Sequence, residues 1–368
     1  MIDRRSFNAS ALLSVGALAA GTVSPALARD RPVDMPRKTN LPALFDDIEE
    51  RAFRWFWDTG NPANGLVPDS WPDPAFCSIA AVGFALTAYP VGVARGWITR
   101  AAARARTLAT LRFFASAPQG DAVDGVSGHR GFFYHFLHMD SGLRFGGVEL
   151  SSVDSSLLFL GMLFAAEYYD QDHPDEREIR RLATAIYERA DWNWFRRGQP
   201  TISMGWQPGT GFIARNWDGY NEGMMVNLLA LGSPTHAVGP ETWDAWCAPY
   251  SRCWRGSGAT RRLAFAPEIV VPATLAMHAR YGDWVYGKYG FYDAFNPSFR
   301  VLAKPVQRGA VDPVRGWVSQ NYLGIDQGPI LGAIANTRDD FIWRAMHRSA
   351  PIRRGLQRAG FTGGWLEA

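Results

Sequence analysis

The chain has 368 residues, room for one large domain or two ordinary ones, and its 47% hydrophobic and 20% charged content fit a globular protein with a substantial core. Lys and Arg number 38 against 35 Asp and Glu, and the net charge of +3 gives no basic surface for nucleic acid and no reason to expect an anionic membrane as partner. The 15 Trp, 12 Tyr and 22 Phe suit a wide helical core, and an excess of Trp and Tyr also suits stacking against sugar rings.

Residues 1–28 read as a targeting segment. A twin-arginine pattern (Asp3-Arg4-Arg5-Ser6-Phe7) precedes an apolar stretch from Ala11 to Val23 and a small-x-small site, Ala26-Leu27-Ala28. The expectation is twin-arginine export with cleavage after Ala28 and a periplasmic or secreted product with no stable membrane anchor; an uncleaved anchor is the alternative. Residues 29–40 form a polar arm, and no linker divides 41–368, which reads as a single domain.

Two kinds of helix then alternate. Leu41–Asp58 is amphipathic, with Leu41, Phe45, Ile48, Ala52 and Trp55 on one stripe. Phe76–Tyr89 is apolar throughout. Thr99–Phe114 is amphipathic behind a Thr99 N-cap. Residues 131–140 and 143–149 read as a hairpin turning at Asp140-Ser-Gly142. Ser151–Tyr169 is apolar all round, and Pro174–Ala190 is amphipathic. Thr201–Ala214 is Gly-rich and irregular or hairpin-like. Tyr220–Leu231 is apolar, Pro240–Ala248 short and mixed, and Glu268–Tyr281 and Gly328–Ala335 apolar again. A helix without a polar face has to be surrounded by protein. The alternation therefore predicts an all-α fold of two concentric helical layers, an α/α toroid with small hairpins on one rim. A helical solenoid is the competing architecture, and no fixed-period repeat supports it.

Several of the apolar helices open just after an acid: Glu149-Leu-Ser-Ser-Val-Asp154, Asp218-Gly-Tyr-Asn-Glu222, Pro267-Glu268 and Ile325-Asp326-Gln327. Acids in these positions also complement a helix dipole. Gathered at one end of a ring, they would supply the proton donor and second carboxylate that glycosidic bond cleavage requires. Glu222 is the leading candidate, with Asp154 or Glu149 as partner. Trp206, Trp217 and Tyr220, just upstream, are the candidate sugar-stacking residues. Asp69, in the turn-rich loop 61–69, and Asp326 and Gln327, beside Gly328, are candidate substrate contacts. Glu268 ranks low. Three cysteines make no disulfide framework: Cys77 reads as a buried thiol, and Cys247 and Cys253 could bridge. No Cys/His spacing suggests zinc, His135 and His138 read as structural, and no metal or organic cofactor is implied.

The chain resembles the bacterial glucoamylase-like family that includes endo-β-1,2-glucanases and a domain of cyclic β-1,2-glucan synthases. The stretches that carry the resemblance include NPANGLVPD (61–69), GFFYHFLHMDSG (131–142), ELSSVDSSLL (149–158), SMGWQPGTGF (203–212), WDGYNE (217–222), KYGFYDAFNPS (288–298) and YLGIDQGPI (322–330). The resemblance implies an (α/α)6 barrel with a glycan-processing site at its loop-rich end. It also implies that Glu222 is an essential carboxylate with the acids of ELSSVD close by. The chain departs from the family at 248–263, where relatives carry a longer, aromatic-rich insert. The barrel is thus expected to be short by one helix pair: open, closed by a shorter connection, or the product of a damaged gene copy. The favoured function is an exported glycoside hydrolase acting on a β-glucan, most plausibly β-1,2-linked. A non-catalytic glycan-binding protein and a transglycosylase module are the alternatives.

Overall fold

Capping residues start the helices where the apolar runs begin. In the computed structural model, which describes residues 40–249, 267–301 and 306–367, twelve α-helices are found among the described residues. They are α1 (Ala43–Thr59), α2 (Ile79–Ala94), α3 (Arg100–Ser116), α4 (Ser152–Tyr168), α5 (Pro174–Glu188), α6 (Trp192–Arg196), α7 (Gly223–Gly232), α8 (Glu241–Cys247), α9 (Pro267–Tyr281), α10 (Gly324–Asp339), α11 (Phe341–Met346) and α12 (Ala350–Arg358). Ser78, Thr99 and Ser151 cap α2, α3 and α4 by accepting the backbone N–H three residues on. The expected leader at 1–28, the arm up to residue 39, Cys253 and most of the 248–263 segment lie outside the described residues. No helix among the described residues is long and apolar enough to cross a membrane.

The two layers follow from the two helix types. The apolar helices α10, α2, α4 and α7 lie side by side, and the amphipathic α1, α3 and α5 pack around them. α1 covers α10 and α2, α3 covers α2 and meets α5, and α5 covers α4. α2 and α4 approach to backbone contact. A Cβ on Gly161 would stand 2.1 Å from the Gly83 carbonyl oxygen, and one on Gly83 2.3 Å from that of Leu157. The C-terminal α12 crosses α7 in the same way, Gly232 against Pro351 and Gly355 against Leu228. Arg354 and Arg358 there donate to the Gly232 and Leu231 carbonyls at the end of α7.

One outer-layer contact is fully buried and charged. The Glu176 carboxylate on α5 accepts from Arg100 Nε and Nη2, both at 2.8 Å, from Arg104 at 3.4 Å and from the Gln171 N–H at 2.8 Å. Burial alone would push this carboxyl up, but the Arg100, Gln171 and Arg104 donors outweigh it and hold it below the usual carboxylate range. The stability it supplies is therefore present above the ordinary glutamate pKa and is lost as pH falls through the depressed folded value. Glu176→Ala, which removes the buried acceptor but leaves Arg100 its contacts with Asp170 and the Tyr168 carbonyl and Arg104 its contact with Asp175, is expected to cost about 1.5–3 kcal/mol. A urea midpoint unchanged from wild type at pH 7 would show that the cluster contributes nothing.

The expectation that apolar helices are enclosed holds for α2 and α4 and fails for α9. Val271 packs beside Phe45, Ile48 and Ile334, but Ile269 is 50% and Leu275 38% exposed. α9 directly follows residues outside the described set.

The rim consists of very short strands, arranged by a repeated device. Cys77–Ser78 leads into α2 and pairs with 136–137; Leu150–Ser151 leads into α4 and pairs with 205–207; Tyr322–Leu323 leads into α10 and pairs with 70–71. Backbone groups ahead of a buried helix need partners, and the rim loops supply them. The expected hairpin forms around the turn at 138–143, with His138 and Leu143 and then Gly142 and His138 joined by backbone hydrogen bonds of 2.8 Å. Its arms meet at the bridges Leu137–Arg144 and Tyr134–Leu150 and by the Phe145 N–H donating to the Phe136 carbonyl. The first arm also pairs outward, 132–133 with 128–129 and 136–137 with 77–78. The Gly-rich 201–214 segment contains a true hairpin, 205–207 with 211–212. Cys77 is a buried free thiol, pushed up to about 12 by burial.

Candidate active site

Asp154, Glu149 and His135 form the centre of the candidate site. Asp154 lies in the first turn of α4, held by its own cap: Ser151 Oγ accepts from the Asp154 N–H and donates to Asp154 Oδ2 at 2.5 Å. Glu149 immediately precedes the 150–151 strand. Tyr134 bridges to Leu150, and the His135 N–H donates to the Glu149 carbonyl at 3.0 Å, so residues 135 and 149 are brought side by side. His135 Nδ1 lies 2.9 Å from Glu149 Oε1, and Nε2 lies 3.4 Å from Asp154 Oδ1. Gly205 leaves room for this: a Cβ there would stand 2.9 Å from Glu149 Cγ and 2.8 Å from Ile213 Cδ1.

The electrostatics divide the acids. The His135 hydrogen bond holds Glu149 below the usual carboxylate range. Burial pushes Asp154 up, opposed by His135 and Ser151 and reinforced by Glu149. Burial lowers the His135 imidazolium, but Glu149, Asp154 and Asp69 outweigh it and hold the ring above the ordinary histidine value. Asp69, at the end of loop 61–69, is raised by burial and by Asp154, against His135 and Arg308. Asp326, in the first turn of α10, is pushed up to about 6 by burial and by Asp293 and Asp69. The Gly324 N–H donates to the Asp69 carbonyl at 2.9 Å and ties these two acids to one seam. Asp69, Glu149, Asp154 and Asp326 thus interact along one rim; three of them belong to the acid-to-helix turns, and Asp69 comes from the 61–69 loop.

Glu222 stands apart. It occupies the N-cap of α7 without a side-chain cap bond, is exposed, and takes no part in the contacts between His135, Glu149 and Asp154. Its turn is nevertheless anchored at the same end: Trp217 Nε1 donates to Ser152 Oγ at 2.9 Å, two residues from Asp154. That bond corrects the sugar-stacking expectation for Trp217, because the ring is buried and its N–H is used in holding the turn. Gln327 is corrected likewise: it is buried, with its amide donating to the Phe291 carbonyl. Trp206 is half-buried with one ring face stacked on His129, centroids 4.9 Å apart. Tyr220 is 59% exposed. Glu268 lies exposed in the first turn of α9.

His135, read from the sequence as structural, stands between Glu149 and Asp154. Its partners are 14 and 19 positions away across the turn at 138–143, and no motif spacing marks them. Its ring nitrogen and the two carboxylates have donor atoms within 4.8 Å of one another, a spacing a cation could share, but both nitrogens already face carboxylates.

With this geometry in hand, comparison with known proteins gives a consistent result. Residues 214–258 and 253–350 match the family model described as "Putative glucoamylase". The match is to the glucoamylase-like family. An exo β-1,2-glucooligosaccharide sophorohydrolase (non-reducing end) from Parabacteroides distasonis is 20% identical over 86% of this chain, and the chain spans 57% of that relative's length. Among solved structures, a protein from Bacteroides uniformis titled a putative glucoamylase matches with a TM-score of 0.74 at 22% identity, over 89% of this chain and 100% of that one. The endo-β-1,2-glucanase of Chitinophaga pinensis, solved with sophorotriose and glucose, matches with a TM-score of 0.72 at 19% identity, over 88% and 99%. These likenesses establish the fold as the glucoamylase-like (α/α)6 toroid.

Proposed function

We propose that the chain is an exported glycoside hydrolase that cleaves a β-1,2-linked glucan by carboxylate general acid/base catalysis. The observation that carries the reading is the gathering of Asp69, Glu149 and Asp154 around His135, with Asp326 beside Asp69, at the rim of a helical toroid whose relatives include β-1,2-glucan hydrolases. Raised carboxyl pKa values suit a proton donor and depressed ones suit a carboxylate that activates water. Glu149 and Asp154 are themselves too close to form an inverting pair. Their oxygens lie within 4.8 Å, whereas inverting pairs stand about 6.5–9.5 Å apart. They form one pole, and Glu222 is the carboxylate of the other. The exposed Tyr220 and Trp206 supply the stacking surface, with Asp69 and Asp326 facing substrate hydroxyls. The twin-arginine pattern at 3–7 supports export, and the proposed cleavage after Ala28 is checked by N-terminal sequencing of the product recovered from the periplasm or medium.

The reading is tested with linear β-1,2-glucan, following release of oligosaccharides by chromatography and binding by calorimetry in parallel. Hydrolysis products are expected. Binding without product over a long incubation would instead identify a non-catalytic glycan-binding protein, and products longer than the substrate a transglycosylase.

A further inference from the structure

The imidazole of His135 stands between two carboxylates, and the hydrolytic scheme above assigns it no task. Glu149 Oε1 is 2.9 Å from Nδ1 and Asp154 Oδ1 is 3.4 Å from Nε2. A neutral imidazole carries one N–H, so it donates to one neighbour and turns a lone pair toward the other. Two ionised carboxylates on its two nitrogens would leave one of these contacts repulsive. A further proton removes the conflict, either on the ring as imidazolium or on Asp154, which would then donate to Nε2. Both descriptions contain the same number of protons.

We propose that His135 is the positioning residue of this site, gripping Glu149 through Nδ1 and sharing one proton with Asp154 through Nε2.

The surroundings fix the ring in that place. Phe136 stacks on it with centroids 3.9 Å apart. The His135 N–H donates to the Glu149 carbonyl, and its own carbonyl accepts from the Ile79 N–H at the start of α2. The groups that act on its charge come from every neighbouring element. They are Glu149 ahead of the 150–151 strand, Asp154 on α4 and Asp69 on the 61–69 loop. Behind these stand Arg144, which acts on Glu149, and Arg308 and the Cys77 thiol, which interact with Asp69. The three carboxylates outweigh the desolvation of the cation. Loss of the shared proton leaves Asp154 and Glu149 ionised around a neutral ring that can hold only one of them. The geometry of the acid pair is therefore set only below the pKa of that shared proton.

The consequence for turnover rests on the hydrolase reading; the shared proton does not. Imidazole titration by NMR in the wild-type protein is expected to place His135 above the ordinary value of about 6.5, and to show that value falling in both Glu149→Gln and Asp154→Asn. An ordinary midpoint in the wild type, or one that neither substitution moves, overturns the proposal. In kinetics on β-1,2-glucan, His135→Gln is expected to lower kcat by about 10²-fold through lost alignment and to abolish the alkaline limb of the kcat/KM profile. A lower rate that keeps the wild-type limb would mean a merely structural histidine and would also overturn it. If the wild type fails to cleave this glucan, the hydrolase reading falls, while the titration still decides the role of His135.

Discussion

Asp154→Asn and Glu222→Gln are each expected to lower kcat on linear β-1,2-glucan by about 10²–10⁴-fold, the range over which a positioned acid or base accelerates proton transfer. The two substitutions should differ in everything else. Asp154 is buried, raised by its surroundings and engaged with Ser151 and His135, so Asn there rearranges a packed cluster and should also shift the pH profile. Glu222 is exposed at the N-cap of α7 and makes no cap bond, so Gln there should leave the melting temperature in place. Rates within threefold of wild type for Glu222→Gln would remove Glu222 from the chemistry and leave the acid seam of Asp69, Glu149, Asp154 and Asp326 as the whole catalytic set. Should only Asp154→Asn stay active, the buried acid is a capping residue of α4 and nothing more.

Gly161→Val is expected to destabilise the protein by at least about 3 kcal/mol, the upper end of ordinary overpacking. The new side chain would begin 2.1 Å from the Gly83 carbonyl oxygen. No rotamer change relieves the contact, because the opposing atoms are backbone on both helices. α2 and α4 would have to separate, and both are buried nearly throughout. A loss of this size is a large part of the roughly 5–15 kcal/mol that holds a domain folded. Denaturant unfolding measures it directly; a midpoint equal to wild type would mean that the two helices do not touch as described.

The layered fold was legible because burial leaves a mark on every turn of a helix. α2 and α4 lack a polar face, α1 and α5 have one, and the caps Thr99 and Ser151 sit where the pattern begins. The acids at the rim were legible for a related reason: the segments that enter buried helices are polar, so Glu149, Asp154 and Asp326 stand out beside apolar runs. What the sequence could not display was which loop closes on which helix start. The 136–137 segment pairs with 77–78 as well as across its own turn, and the register of that turn, with Tyr134 bridging to Leu150, places His135 between Glu149 and Asp154. Trp217 and Gln327 were misjudged for the opposite reason. Their residue types suit a sugar site, but their donors are consumed by Ser152 and Phe291 inside the protein.

The seam between Ser70–Trp71 and Tyr322–Leu323 also dictates an order of events during synthesis. It joins opposite ends of the described chain, as do the contacts of α10 with α1 and α2. Contacts of such long range form slowly, because the loop must be closed before they repay it. While the ribosome is still making the middle of the chain, α1 and α2 wait with the surface that α10 will cover still open to solvent. The protein therefore cannot finish folding before α10 and then α12 arrive, and a nascent chain stalled ahead of Gly324 would leave that surface open, with Asp69 in place and Asp326 not yet opposite it.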